Sequence, residues 1–261
     1  MSTPNEFLTL DQIKERLVLI LDYFVSICEK HNLVYFLTDG TLLGAIRHKG
    51  FIPWDDDIDV SMPRPDYDKF IEIIKSEPND IFMTLVPGDK DYPYDFAKIV
   101  DTRTALYEDE VMDIPNMGLW IDVLPLDGIK TPNGLHVKLL NYINLARAAA
   151  TYKVCPKKRS NMYIRWWICH IVGFEFFLKL FLKLSVMYKY GEAPYVGWTE
   201  IAFRALYPKH VFEKTTLVEF EGKQYKAPAA WDEYLRLQYK DYMQLPPVSK
   251  RIAHHVRAFI K

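Results

Sequence analysis

Cysteine is nearly absent: Cys28, Cys155 and Cys169 are the whole complement, odd in number, with no CxxC pair and no histidine at metal-ligand spacing. A disulfide framework and a structural zinc site are therefore not expected. Long apolar runs are missing too. The longest stretch without a formal charge in the apolar middle, Trp166 to Phe174, is half of the roughly 18 residues that a membrane-spanning helix needs. No basic region precedes the first apolar stretch, Leu17 to Leu21, which Asp22 closes at once. A signal peptide is not expected, and the address read from the sequence is cytoplasmic, at the inner face of the cell membrane if the chain binds one. An excess of one charge is also lacking: 33 basic side chains oppose 34 acidic ones, a formal net charge of −1. No overall field draws nucleic acid, and no nucleic-acid partner is expected. What remains is the balance of a globular protein, 49% hydrophobic and 26% charged over 261 residues, a length suited to one main core.

Periodicity divides the chain by texture. Thr9 stands three residues before Gln12 as in a capping box, and Ile13, Leu17, Leu21, Phe24 and Cys28 continue a helical stripe to about His31. Val34 to Thr38 reads as a strand that stops at Asp39-Gly40, and Thr41 to His48 as a short helix. Ile58 to Met62 alternates as a half-buried strand, followed by a helix over Asp66 to Lys75. Further extended segments are expected at Phe82 to Val86, Phe96 to Val100, Thr104 to Glu108 and Leu119 to Leu124. From Leu135 long helical patterns take over, to about Tyr152 and again from Tyr163 to about Tyr190, around the basic linker Lys153 to Arg159. Leu217 to Tyr225 reads as a hairpin about Glu221-Gly222, and Trp231 to Tyr239 as a helix. The expected organisation is one catalytic unit: a core over 1–134, a helical insert over 135–195 and a C-terminal part over 196–261 packing back on the core.

The densest chemical signal is Trp54-Asp55-Asp56-Asp57-Ile58-Asp59, four carboxylates within five positions. Side chains at i and i+2 of a strand share a face, so Asp57 and Asp59 project together, with Asp55 joining them if the strand starts early. Hard divalent cations such as Mg²⁺ take oxygen ligands from one or two carboxylates plus substrate phosphates, which this spacing suits. A solvated acidic turn is the plain alternative, weakened here by the apolar context of Phe51-Ile52-Pro53-Trp54. An EF-hand is excluded, because the loop lacks the glycine and glutamate that calcium requires at its sixth and twelfth positions. Asp39-Gly40-Thr41 sits where a strand hands over to a helix, so the first-turn amides and the Thr41 hydroxyl would face an anion; a plain N-cap explains the same residues. Strand, Gly-Thr, short helix and a strand carrying Asp-x-Asp is the arrangement of the nucleotidyltransferase superfamily, whose third carboxylate comes from a neighbouring strand. Asp122, an acid interrupting the apolar run Gly118 to Val123, is the candidate; Asp127, after Pro125, is its rival and looks like a turn residue. Arg47, His48 and Lys49 would screen phosphate charge, or simply complement a helix dipole.

The stretch from Thr38 through Gly40-Thr41, Arg47-His48-Lys49-Gly50 and Trp54-Asp55-Asp56-Asp57 to Val60 resembles the signature of the LicD family of phosphorylcholine transferases, relatives of fukutin and fukutin-related protein. Trp120 to Gly128, Val218 to Gly222 and the closing run from Asp241 to His254-His255 support the likeness. It spans roughly 10–130 and 200–256, while 135–190 matches only in texture. The resemblance implies an α+β, nucleotidyltransferase-like mixed sheet flanked by helices, with Mg²⁺ or Mn²⁺ held by the catalytic carboxylates Asp57, Asp59 and Asp122. It also implies a CDP-activated donor, CDP-choline first, and a glycan acceptor such as lipopolysaccharide or teichoic acid, with CMP released.

A quaternary ammonium is recognised by aromatic faces, and Trp54, Trp120, Tyr92, Tyr94, Tyr195, Trp198 and Tyr207 are candidates, although core packing explains each of them equally well. His254 and His255 would touch phosphate or assist proton transfer, unless they belong to a solvated tail. Between 157 and 190 basic residues stand beside Trp166, Trp167, Phe174, Phe176 and Phe177, as in an interfacial helix that would bring the enzyme to a lipid-linked acceptor. Because apolar residues cover most of the circumference, burial as a helical hairpin is the favoured expectation. Two rival functions stay open: a nucleotidyltransferase using the same carboxylates, and a noncatalytic membrane-associated scaffold.

Overall fold

Thr9 begins the first helix as expected. In the computed structural model, which describes residues 6–107, 113–149, 160–198, 206–251 and 257–261, the Thr9 hydroxyl accepts from the Gln12 amide at 3.3 Å and the Gln12 side chain accepts from the Thr9 amide at 2.9 Å. Helix α1 (Leu10–Lys30) buries Ile13, Leu17, Ile20, Leu21, Phe24, Ile27 and Cys28. It packs against a mixed sheet, with its closest strand neighbours at Ala97–Asp101 and Trp120–Ile129. Burying each such side chain contributes about 1.5–3 kcal/mol, so this one face anchors the core.

The sheet is built from β1 (Phe36–Leu37), β2 (Asp59–Pro63), β3 (Phe82–Leu85), β4 (Ala97–Asp101) and β6 (Trp120–Ile129), in the spatial order β1-β2-β6-β4-β3. Only the β2–β6 pair is parallel within that path. The far end of β6 pairs with β7 (Tyr195–Gly197), which pairs in turn with β8 (Leu206–Pro208). Two small ribbons complete the strands: β5 (Thr104–Leu106) with β11 (Ala258–Ile260), and the hairpin β9 (Thr215–Phe220) with β10 (Lys223–Pro228), whose turn at Glu221-Gly222 matches the expectation. Among the described residues there are seven α-helices, the others being α2 (Asp39–His48), α3 (Arg64–Ser76), α4 (Leu135–Ala149), α5 (Ser160–Val172), α6 (Phe174–Ser185) and α7 (Trp231–Tyr239). The mixed α+β class is as expected.

Three elements differ from the sequence reading. The strand expected to end at Leu124 runs on through Pro125 to Ile129. Amides alternate sides along a strand, and Asp122 donates to the Ile58 carbonyl on the β2 side, so Pro125 turns its nitrogen to the other side. There β4 has already ended opposite Val123 and β7 begins only at Asp127, so no ladder bond is lost. Asp127 is accordingly a strand residue, not a turn residue, and Arg64 holds both its oxygens at 2.6 and 2.7 Å. The second long helix is two helices, because Gly173 at φ +86 turns the chain between α5 and α6. Burial of that hairpin is the third difference. Phe181 of α6 packs with Leu140 and Ile143 of α4; α5 packs on α4 and buries Cys169, but its other side is open, with Tyr163, Ile164, Trp167, Ile168, Ile171 and Val172 exposed. The insert is joined to the core by buried Arg147, which bridges Asp95 at 2.7 Å and donates to the Pro93 carbonyl and to Asn144.

Candidate active site

The acidic run leads into β2 with the alternation expected of it. Asp56, Ile58 and Val60 are buried while Asp55, Asp57 and Asp59 are partly open, although the strand itself starts only at Asp59. Two hydrogen bonds fix the entry. The Thr41 hydroxyl, buried rather than facing solvent, accepts from the Asp59 amide at 2.9 Å, and the Thr38 amide donates to the Asp59 carbonyl at 3.2 Å. Below them the Thr38 and Ser61 hydroxyls meet at 3.0 Å.

Asp122 lies directly beside Asp59. The two are register partners on the parallel pair β2–β6, and on the other side of β6 Asp122 is the partner of Lys98 on β4. Directly opposed residues share a face of a sheet, so Asp59, Asp122 and Lys98 stand abreast on three neighbouring strands. The Lys98 ammonium is 2.5 Å from Asp122 and lies 4.5 Å from the Trp120 ring, 4.6 Å from Tyr94 and 5.0 Å from Phe96. Burial pushes the Asp122 carboxyl above the usual aspartate range, and the adjacent ammonium opposes that shift without cancelling it. Two of the aromatic candidates thus surround a cation, but it is the chain's own. Tyr92, Trp198 and Tyr207 are buried in the core, and Trp54 lies beneath the Arg251 guanidinium.

The strand-to-helix turn closes over the same end of the sheet. Asp39 sits in the left-handed region at φ +47, where aspartate is better tolerated than most residues. Tyr234 and Gln238 of α7 hold it: the Asp39 amide donates to the Tyr234 hydroxyl at 3.0 Å, and Gln238 donates to the Asp39 carboxylate at 2.9 Å. Gly40 is needed for close approach, since a Cβ there would lie 2.6 Å from a carboxylate oxygen of Asp55. Asp55 is raised above its ordinary pKa by burial first and by the Asp56 charge, while a hydrogen bond with Asp57 and the charge of Lys14 pull it down. The Tyr239 phenol is raised above its usual range by partial loss of water and by the charges of Asp39, Asp59, Tyr207 and Asp55.

The basic candidates frame the edge. Arg47 donates to the Tyr242 carbonyl at 2.7 Å and to the His48 ring at 2.9 Å. Burial and the Arg47 charge lower the His48 pKa below the usual histidine range. Lys49 is exposed, its backbone in the left-handed region, and its carbonyl accepts from the Glu221 amide, so the β9–β10 hairpin docks here. His254 and His255 lie outside the described residues.

Among the described residues no three His, Cys, Asp or Glu side chains form a group that could hold a metal ion by themselves. The donor set still fits a hard cation completed by substrate oxygens. It is all carboxylate, it includes a strand-paired couple, and Asp55 and Asp57 approach to hydrogen-bonding distance, which two anions tolerate only with a shared proton or cation. Sequence reasoning missed Lys98, Tyr234, Gln238 and Tyr239. Lys98 carried a usable signal, since it interrupts the apolar run Phe96 to Val100 as Asp122 interrupts its own. The residues of α7 carried none, because the hydrogen bonds of Tyr234 and Gln238 to Asp39 span 195 and 199 residues of sequence.

These observations define an α+β protein with a polar centre of carboxylates and the Lys98 ammonium at the head of a mixed sheet, beside a strand-to-helix turn. Residues 32–108 match the family described as LicD/FKTN/FKRP, nucleotidyltransferase domain. The lipopolysaccharide cholinephosphotransferase LicD of Haemophilus influenzae is 30% identical over 250 residues, 91% of this chain and 92% of that protein. An uncharacterized protein of Rickettsia typhi is 47% identical over 45 residues, 17% of this chain and 15% of its own length. The chain belongs to the LicD family.

Proposed function

We propose that this protein transfers phosphocholine, or a similar phospho-alcohol, from its CDP-activated donor to a sugar hydroxyl of a cell-surface glycan. The likeness to a Haemophilus protein named as a lipopolysaccharide cholinephosphotransferase supports choline phosphate as the cargo and lipopolysaccharide as the type of acceptor. The geometric support is the row Asp59, Asp122 and Lys98 on three adjacent strands beside the turn at Thr38 to Thr41.

Asp57 and Asp59, with donor phosphate oxygens completing the shell and Asp122 joining only on release from Lys98, would hold Mg²⁺ or Mn²⁺, which when bound would supply charge neutralisation for the donor diphosphate and the CMP leaving group. The remaining work falls to the chain's own groups. The N-terminal turn of α2 offers amides and the positive end of its dipole to a phosphate oxygen. Thr41 fixes the backbone of Asp59, and α7 fixes Asp39, so the turn and the strand keep a constant separation. The acceptor hydroxyl oxygen forms the new bond to the choline-bearing phosphorus, the phosphoanhydride bond to CMP breaks, and a site carboxylate takes the hydroxyl proton. Lys98 offsets negative charge at the buried side of the centre.

Phosphorus NMR of the protein with Mg²⁺, CDP-choline and a lipopolysaccharide acceptor tests this. The expected products are free CMP and a phosphocholine diester on the glycan. Nucleotide on the glycan would make the protein a nucleotidyltransferase, and no turnover of CDP-choline, CDP-ethanolamine, CDP-ribitol or CDP-glycerol would favour the scaffold.

A further inference from the structure

We propose that the outer faces of α4 and α5 form a docking surface for an anionic phospholipid membrane, with α5 lying in the plane of the interface. On α5 the residues Ile164, Trp167, Ile168 and Ile171 recur at i, i+3, i+4 and i+7 and are 63%, 49%, 52% and 79% exposed. Leu135, Leu139 and Tyr142 repeat the pattern on α4, with Leu135 83% exposed. Apolar stripes at helical spacing belong against an apolar phase, yet no described helix is long and apolar enough to cross a membrane. Lying on a bilayer satisfies both facts.

Charge selects the occupant. Residues 135–185 carry nine basic side chains and one acid, Glu175, in a chain whose formal net charge is −1. Arg147 is neutralised internally by Asp95, but Lys138, Lys179 and Lys183 are exposed, and the four basic residues of the linker immediately precede α5 in sequence. A second copy of this chain would bring an insert with the same positive excess and be repelled. An anionic leaflet is attracted by it.

The experiment reads binding without turnover, so its outcome is independent of the proposed chemistry. The full chain is sedimented with vesicles of phosphatidylcholine alone or mixed with phosphatidylglycerol, at low and high salt. Binding to the mixed vesicles should be about tenfold or more tighter than to the neutral ones and should weaken with salt. Trp167→Glu with Ile171→Glu, at exposed positions, should cut it about tenfold or more, and Lys157→Glu with Lys158→Glu should do the same through charge alone. Wild-type binding by both folded variants, no sedimentation with the mixed vesicles, or light scattering that finds a dimer dissolved by the Trp167→Glu, Ile171→Glu variant would each overturn the proposal.

Discussion

Replacing Lys98 by methionine tests whether the row across the sheet is one electrostatic unit. The Lys98 side chain is 4% exposed and that of Asp122 is 19% exposed, with 2.5 Å between their charged groups. Removing one member of a fully buried pair costs about 3–5 kcal/mol, because the other charge is left uncompensated. Water reaches part of Asp122, so about 2–4 kcal/mol is expected for Lys98→Met, with methionine retaining contacts to Trp120, Tyr94 and Phe96. Asp122→Asn leaves the ammonium among three rings and should cost about 1–3 kcal/mol. The double variant removes both charges and should be more stable than the sum of the single effects predicts by about 1.5 kcal/mol or more. Urea unfolding followed by circular dichroism gives all four corners of the cycle. In thermal melts, Lys98→Met should lower Tm by about 4–8 °C for a chain of this size. Additivity within about 0.5 kcal/mol would refute the coupling and leave Lys98 as a packing residue.

Asp57→Ala or Asp59→Ala should reduce turnover about a hundredfold or more while circular dichroism stays that of the wild type; near-normal rates would remove these carboxylates from the chemistry. Asp57→Asn replaces one of two carboxyls in mutual contact by an amide that can donate, and should raise the melting temperature of the metal-free protein by about 2 °C. A lower value would mean that the two groups stand apart. Gly40→Ala drives a methyl toward the Asp55 carboxylate and should impair activity with little change in stability, since alanine favours the helix. Asp101 is buried, which raises its pKa, but hydrogen bonds from Arg103 and Arg16 outweigh burial and hold it below the usual range. A depressed acid stabilises the fold above its unfolded pKa, about 3.9, and the contribution fades as pH falls toward the lower folded value. Asp101→Asn should therefore cost about 1–3 kcal/mol at pH 7, an amount that shrinks below pH 4; a constant difference across that range would deny the linkage.

Much of this centre was legible because its signals are local. The capping box at Thr9, the alternation from Asp55 to Val60 and the acid in an apolar run at Asp122 are short-range patterns that residue spacing determines directly. The register that sets Asp59 beside Asp122 was not legible. A parallel pair brings together segments more than sixty residues apart, and nothing in either segment names its partner. The same holds for Tyr234 and Gln238, whose hydrogen bonds to Asp39 join segments 195 and 199 residues apart. The insert failed for a different reason. Its helical period was correct, but period alone does not say which stripe meets a neighbour. α4 gives its inner face to α6, Gly173 turns the chain between α5 and α6, and one apolar side of α5 is left exposed. A membrane surface needs only one apolar stripe, and Ile164, Trp167, Ile168 and Ile171 supply it on the exposed side of α5. On the proposed membrane contact, the basic insert would meet an anionic leaflet and the core would be held at the surface where a lipid-linked glycan presents its hydroxyl.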